Sequence, residues 1–156
     1  MRIIVIGKPR RGKSTFARKL AENTGFRIYC ADPVSLVKDP EDGVTYLDDT
    51  FADRKMWSQA SEYIAESWFE IPGPWIMESV ALVRALRKFH EAYPDRPPPC
   101  ERLVAFMGKP LVKTTKDQEA MAKGIDTIYK DVAEWLAPYV QFLDPAKQEF
   151  HYDPDK

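Results

Sequence analysis

The sequence is short of the features that mark several large classes of protein. It has only two cysteines, Cys30 and Cys100, which lie far apart and fit no metal-ligand spacing. That excludes a disulfide framework or a cysteine-based zinc site, so reduced thiols in a reducing, cytoplasmic compartment are expected. No apolar run approaches the roughly 18 residues of a membrane span, which argues against a membrane partner. The first apolar run starts at Ile3, with no charged segment and cleavage site before it, so no secretory leader is expected. Neither sign of charge dominates: 23 Lys and Arg against 24 Asp and Glu leave a net charge of −1, which excludes a polybasic arm. Any nucleic-acid contact would need a local basic patch. No internal repeat is visible. What remains is ordinary globular composition, 44% apolar and 30% charged, over 156 residues. This fits one domain over residues 1–150, with residues 151–156 as a loose tail.

One stretch organises the chain. Gly7-Lys8-Pro9-Arg10-Arg11-Gly12-Lys13-Ser14 fits G-x-x-x-x-G-K-[ST], directly after the apolar run Ile3-Ile4-Val5-Ile6 and directly before a helical pattern. At ordinary residue frequencies four such fixed positions match by chance in about one chain in a hundred or fewer. The glycines let the backbone curl so that several N–H groups face one concavity, and the helix N-terminus behind adds its own N–H groups and positive dipole end. Residues Gly7 to Thr15 are therefore the expected nucleotide-binding segment. Lys13 reaches the β- and γ-phosphates of ATP, and Ser14 offers its hydroxyl to Mg²⁺.

Five strands alternate with helices in the remaining pattern. Residues 2–6 read as a buried central strand, then a helix over 13–23 carries Phe16, Ala17, Leu20 and Ala21 inward, with Gly25 at its C-terminal cap. Residues 26–31 form a second strand ending at Asp32-Pro33. Residues 33–49 read as an acidic loop with room for one short turn of helix, and Thr50 with Asp53 opens a helix over 52–69. Trp75-Ile76-Met77 is a third strand closed by Glu78-Ser79. The next helix buries Leu82, Leu86, Phe89 and Tyr93, while Arg84, Arg87 and Lys88 at i, i+3 and i+4 share another face. Residues 103–107 make a fourth strand. Thr115 and Gln118 form a capping box for a helix to residue 137, weakened at Gly124, and residues 140–144 make a fifth strand. The class is α/β, a three-layer fold with a five-stranded parallel sheet, and ligands in such sheets bind beyond the carboxyl ends of the strands. Attention falls on the phosphate loop, Asp32, Glu78-Ser79 and the segment after Met107.

No Asn-Lys-x-Asp tetrad reads a guanine base here, and 156 residues leave no room for the lid domain of an oligomeric ATPase. The layout resembles the P-loop kinases of the nucleoside-monophosphate-kinase and thymidylate-kinase group, most specifically in the phosphate loop. That resemblance implies an acceptor-side insertion over about 33–69 and a lid over about 108–124, hinged at Gly108 and Gly124 and carrying Lys113, Lys116 and Lys123. Arginine is the usual lid residue, yet none follows Arg102, so lysines or the loop's own Arg10 and Arg11 would supply the charge. The resemblance makes Asp32 the group that orients or deprotonates the acceptor hydroxyl, although Asp-Pro also caps turns. In the group's Asp-Gly-x-Pro-Arg motif the arginine grips the acceptor. Here Glu78 and Arg84 take those places without the glycine and proline, and Arg84, Arg87 and Lys88 read equally as a solvated face.

Within the group the segments around Glu78–Lys88 and Lys113–Gly124 are similar to those of bacteriophage 5-hydroxymethyluracil-DNA kinases. This implies an acceptor that is a modified base in DNA, extruded from the stack, with Arg84, Arg87, Lys88 and the lid lysines on DNA phosphates. Tyr46, Phe51 and Trp57 are candidates for stacking on that base. A nucleoside monophosphate kinase acting on free nucleotides and a nucleotide-dependent binding protein are the alternatives. The location implied is the cytoplasm, that of the host for a phage protein, and a homodimer is compatible with the pattern.

Overall fold

The computed structural model of the chain describes residues 1–144. The elements run β1 (Arg2–Gly7), α1 (Lys13–Thr24), β2 (Arg27–Pro33), β3 (Thr45–Leu47), α2 (Trp57–Glu66), β4 (Trp75–Glu78), α3 (Leu82–Ala92), β5 (Arg102–Phe106), α4 (Lys116–Leu136) and β6 (Val140–Phe142). The sheet is parallel throughout, in the order β3-β2-β4-β1-β5-β6. This is the α/β layering expected and is consistent with a P-loop-like fold. Among the described residues the strand count is six rather than five.

The extra strand is β3, inside the segment read as an acidic loop. Thr45, Tyr46 and Leu47 suit an extended chain, and Leu47 is 3% exposed where it pairs with Pro33. Pro33 can close β2 in that position because a proline without an N–H is tolerated at a strand end or a bulge, and the register shifts there. The helix expected over 52–69 is likewise shorter. Asp48 accepts from the Thr50 N–H and Asp53 from the Lys55 N–H, each heading a separate 3₁₀ turn, so α2 begins only at Trp57. Two caps close together divide the segment that periodicity joins. The tail expected over 151–156 lies outside the described residues.

Strand alternation sends the two faces of the sheet to different partners. Ile4 and Ile6 of β1, Trp75 and Met77 of β4, and Leu103 and Ala105 of β5 join the large core with α2, α3 and α4. Ile3, Val5, Ile76, Val104 and Phe106 face the other way, into a smaller core closed by Ala17, Phe16 and Leu20 of α1. Among the described residues α2, α3 and α4 cover one face, and α1 covers the other in part. That asymmetry leaves room for a site.

Candidate active site

The phosphate loop is held by the strands and helices around it. Gly7 adopts φ 152°, and a Cβ there would lie 2.5 Å from the Phe106 carbonyl oxygen, so no larger residue fits beside β5. Arg10 (φ 64°) and Gly12 (φ 84°) take left-handed conformations that turn the backbone into α1. The Lys8 N–H donates to the Phe106 carbonyl at 3.1 Å, and the Leu111 N–H donates to the Arg10 carbonyl at 3.1 Å. Arg11, buried at 6% exposure, donates from Nε to the Gly108 carbonyl at 3.1 Å and also bonds the Pro9 carbonyl. Lys8 pairs with Asp126 of α4 at 2.9 Å. These ties give Lys8 and Arg11 structural work inside the loop.

Lys13 is 7% exposed and donates from Nζ to the Lys8 carbonyl at 2.8 Å, so its ammonium bends back over the loop. Burial lowers its pKa, opposed by the charges of Glu78 and Asp32. Ser14 lies one residue on and donates from Oγ to Glu78 Oε1 at 2.9 Å. The pairing Val5↔Glu78 puts Glu78 on the α1 face of the sheet, which is why it meets the first turn of α1. Thr15 follows, half-buried in the same turn.

Period two along β2 puts Ile28, Cys30 and Asp32 on that same face, with Cys30 paired to Glu78. Against them α1 presents Lys13, Ser14, Ala17 and Arg18, and the segment from Leu36 to Tyr46 closes a third side. The cleft so formed is about 420 Å³, within the range of small-molecule sites. Asp32 Oδ1 accepts from Ser79 Oγ at 2.9 Å, and Cys30 Sγ stands 3.5 Å from Oδ2. Burial and the nearby Asp32 charge push the Glu78 carboxyl above its usual range, against Lys13 and the Ser14 hydroxyl, which pull it down. Burial likewise raises the Cys30 thiol, which argues against a thiolate role.

Lys13, Ser14, Asp32 and Glu78 therefore share one cleft, together with Arg18, Tyr46 and Gln118. The helical cations predicted beside them stand elsewhere. Arg84 is exposed in the first turn of α3 and does not line the cleft. Arg87 bonds Asp131 of α4 at 3.4 Å, and Lys88 bonds the Ser58 carbonyl at the edge of α2 at 2.6 Å, so both bridge helices. Lys113, Lys116 and Lys123 are exposed. Gly124 lies in the middle of the continuous helix α4, so the region expected to hinge there is regular helix from Lys116 onward. Of the proposed stacking residues, Tyr46 lines the cleft, Phe51 packs on Tyr63 at 5.4 Å, and Trp57 is 41% exposed under Arg54.

Sequence reading missed Arg18 and Gln118. Arg18 stands four residues after Ser14 and so shares its helix face, which spacing alone could have revealed; it pairs with Glu41 at 2.8 Å. Spacing gives Gln118 only the role of capping partner to Thr115, which it fills; the box also sets the start of α4 against the cleft.

Among the described residues no group of three or more His, Cys, Asp or Glu side chains forms a metal cage. Ser14 Oγ and the Glu78 carboxylate do offer the paired hard oxygens that suit Mg²⁺ bound mainly by substrate phosphates and water. No helix among the described residues is long and apolar enough to cross a membrane.

No protein-family model matches the sequence, and no curated protein matches it. Among solved structures the chain is similar to the YorR protein of Bacillus subtilis, crystallised in complex with phosphorylated GDP. The two are 15% identical over 95% of this chain and 88% of that one, with a TM-score of 0.42, a likeness too slight to carry a functional conclusion.

Proposed function

We propose that the chain is a phosphotransferase that moves the γ-phosphoryl group of ATP to a hydroxyl on a nucleic-acid component. The observation that carries this reading is the meeting of Lys13, Ser14 and Asp32 in one cleft at the carboxyl ends of the strands. Lys13 and the loop N–H groups hold the β- and γ-phosphates, and charge there is stabilised without reorganisation. Ser14, backed by Glu78, would hold Mg²⁺, which when bound would supply positive charge against the nucleotide phosphates. Asp32 orients the acceptor hydroxyl and takes its proton. The acceptor oxygen then bonds to the γ-phosphorus, the bond from that phosphorus to the β–γ bridging oxygen breaks, and ADP leaves with that electron pair. A loose transition state asks for positioning and modest basicity, which an acidic side chain can provide.

The best specific acceptor is 5-hydroxymethyluracil in DNA, whose hydroxymethyl group needs a carboxylate such as Asp32 and whose base needs a flat neighbour such as Tyr46. A nucleoside monophosphate acceptor would need a free guanidinium on its phosphate. Arg84 does not line the cleft, and Arg18 is already engaged by Glu41. The test is a phosphate-transfer assay with ATP and Mg²⁺ against duplex DNA containing 5-hydroxymethyluracil, free nucleosides and nucleoside monophosphates. Transfer to the hydroxymethylated DNA is expected, with loss on Lys13→Ala and on Asp32→Asn. A chain that consumed ATP with none of these acceptors above background hydrolysis would not be a kinase of this kind. An Asp32→Asn variant that kept full biological function while Lys13→Ala lost it would indicate a nucleotide-dependent binding protein.

A further inference from the structure

Ser79 has no assigned role, yet its hydroxyl is the direct partner of the carboxylate proposed to activate the acceptor. The side chain is 1% exposed. Its Oγ accepts from the Ala81 N–H at 3.0 Å, so its single proton is available to Asp32 Oδ1, 2.9 Å away. Its own backbone N–H donates to the Val5 carbonyl of β1 at 3.4 Å, and its carbonyl accepts from the Leu82 N–H at the start of α3. Ser79 is thus anchored by the strand that feeds the phosphate loop and by the turn into α3. Its neighbour Glu78 holds Ser14.

From this we infer that Ser79 is a positioning residue for phosphoryl transfer, an inference that rests on the kinase reading above. The end of β4 acts as a two-sided gauge. Glu78 sets the donor side through Ser14, and Ser79 sets the acceptor side by fixing Asp32 through Oδ1. With Oδ1 occupied, Oδ2 is the oxygen that meets the acceptor hydroxyl. Its neighbour in the cleft is the Cys30 thiol at 3.5 Å, a weak donor that a substrate hydroxyl displaces easily. A carboxylate held by one oxygen keeps the other at a fixed place in the cleft, whereas one free to rotate loses the near-attack geometry on which transfer depends.

The test is a double-mutant cycle on ATP turnover, run with duplex DNA containing 5-hydroxymethyluracil and also with water alone as acceptor. Ser79→Ala is expected to lower kcat by about 10- to 100-fold, the scale of a misplacement of about 1 Å, with the KM for ATP unchanged within about 2-fold. Ser79→Thr, which keeps the hydroxyl, restores kcat to within about 3-fold, and Ser79→Ala made on top of Asp32→Asn has little further effect. Thermal melts of each variant separate a folding defect from a positioning one. The inference is overturned if the wild type depends on Asp32 while Ser79→Ala keeps full kcat, if the two substitutions act additively, or if the loss falls on the KM for ATP. Failure of the kinase reading looks different: turnover in the wild type that the hydroxymethylated DNA does not raise above the rate with water alone, or turnover indifferent to Lys13→Ala or to Asp32→Asn.

Discussion

Lys13 is buried with its ammonium on the Lys8 carbonyl, so the loop satisfies its own cation. Bringing in a nucleotide exchanges that neutral acceptor for phosphate oxygens, a stronger charge-assisted partner. Lys13→Met keeps much of the length and volume but not the charge. It is expected to weaken nucleotide binding and turnover by about 10²- to 10³-fold, read by calorimetry and by ATP consumption. Gly7 is the second residue with no substitute, because its φ and its distance from Phe106 both exclude a side chain. Gly7→Ala is expected to lower stability by about 3 kcal/mol, seen as a shift in the urea midpoint.

Glu78 gives a prediction with a sign. Burial raises its carboxyl above the ordinary 4.5, so the folded chain holds this proton more readily than the unfolded one. Well below pH 4.5 both states are protonated and the group contributes no difference. As pH rises from there through the folded-state value, the unfolded chain releases its proton first and stability falls. Glu78→Gln removes this dependence. Melts across pH should show the variant equal to wild type in acid and increasingly more stable above it, while turnover drops about 10- to 100-fold because Ser14 loses its charged partner.

At the scale of elements, α4 connects the loop to the rest of the large core. Its start is set by the Thr115–Gln118 box and its flank by the Lys8–Asp126 pair, while Ile125, Ile128, Val132 and Leu136 form its buried stripe. Thr115→Ala removes one cap acceptor and should cost about 1 kcal/mol, or about 2–4 °C in Tm. Because Gln118 also lines the cleft, loosening this turn should raise the KM for the acceptor more than that for ATP, which steady-state kinetics would separate. The helices α2, α3 and α4 were legible from their apolar stripes. The division of the 52–69 stretch was not, since the choice between one helix and two capped turns depends on the hydrogen bonds of Asp48 and Asp53, and both residues fit either outcome.

Over residues 1–144 the molecule has a thick side and a thin side. Among the described residues α2, α3 and α4 pack the face that holds Ile4, Met77 and Leu103, and α1 with its few apolar contacts covers the face that holds the cleft. A ligand that fills the thin side should therefore stabilise the whole fold. ATP with Mg²⁺ at about 100 times its Kd is expected to add about 2.7 kcal/mol. That corresponds to roughly 5–10 °C in Tm for a chain of this size, and it should vanish in Lys13→Met.

The phosphate loop, the alternation of strands and helices, and the interest of strand-end acids were determined by the sequence itself. Each rests on local chemistry: glycine conformational freedom, β-branched runs, and side-chain periods of two and of three to four. Tertiary structure decided which of those residues meet. Asp32, Glu78 and Lys13 converge because β2 and β4 pair in a register that puts Cys30 beside Glu78, and because α1 lies on that face. Arg87 and Lys88 share a helix face with Arg84 in the sequence, yet packing turns them to Asp131 and Ser58. A spacing names the neighbours along an element. Only the pairing of strands and the covering of their faces names the neighbours across space.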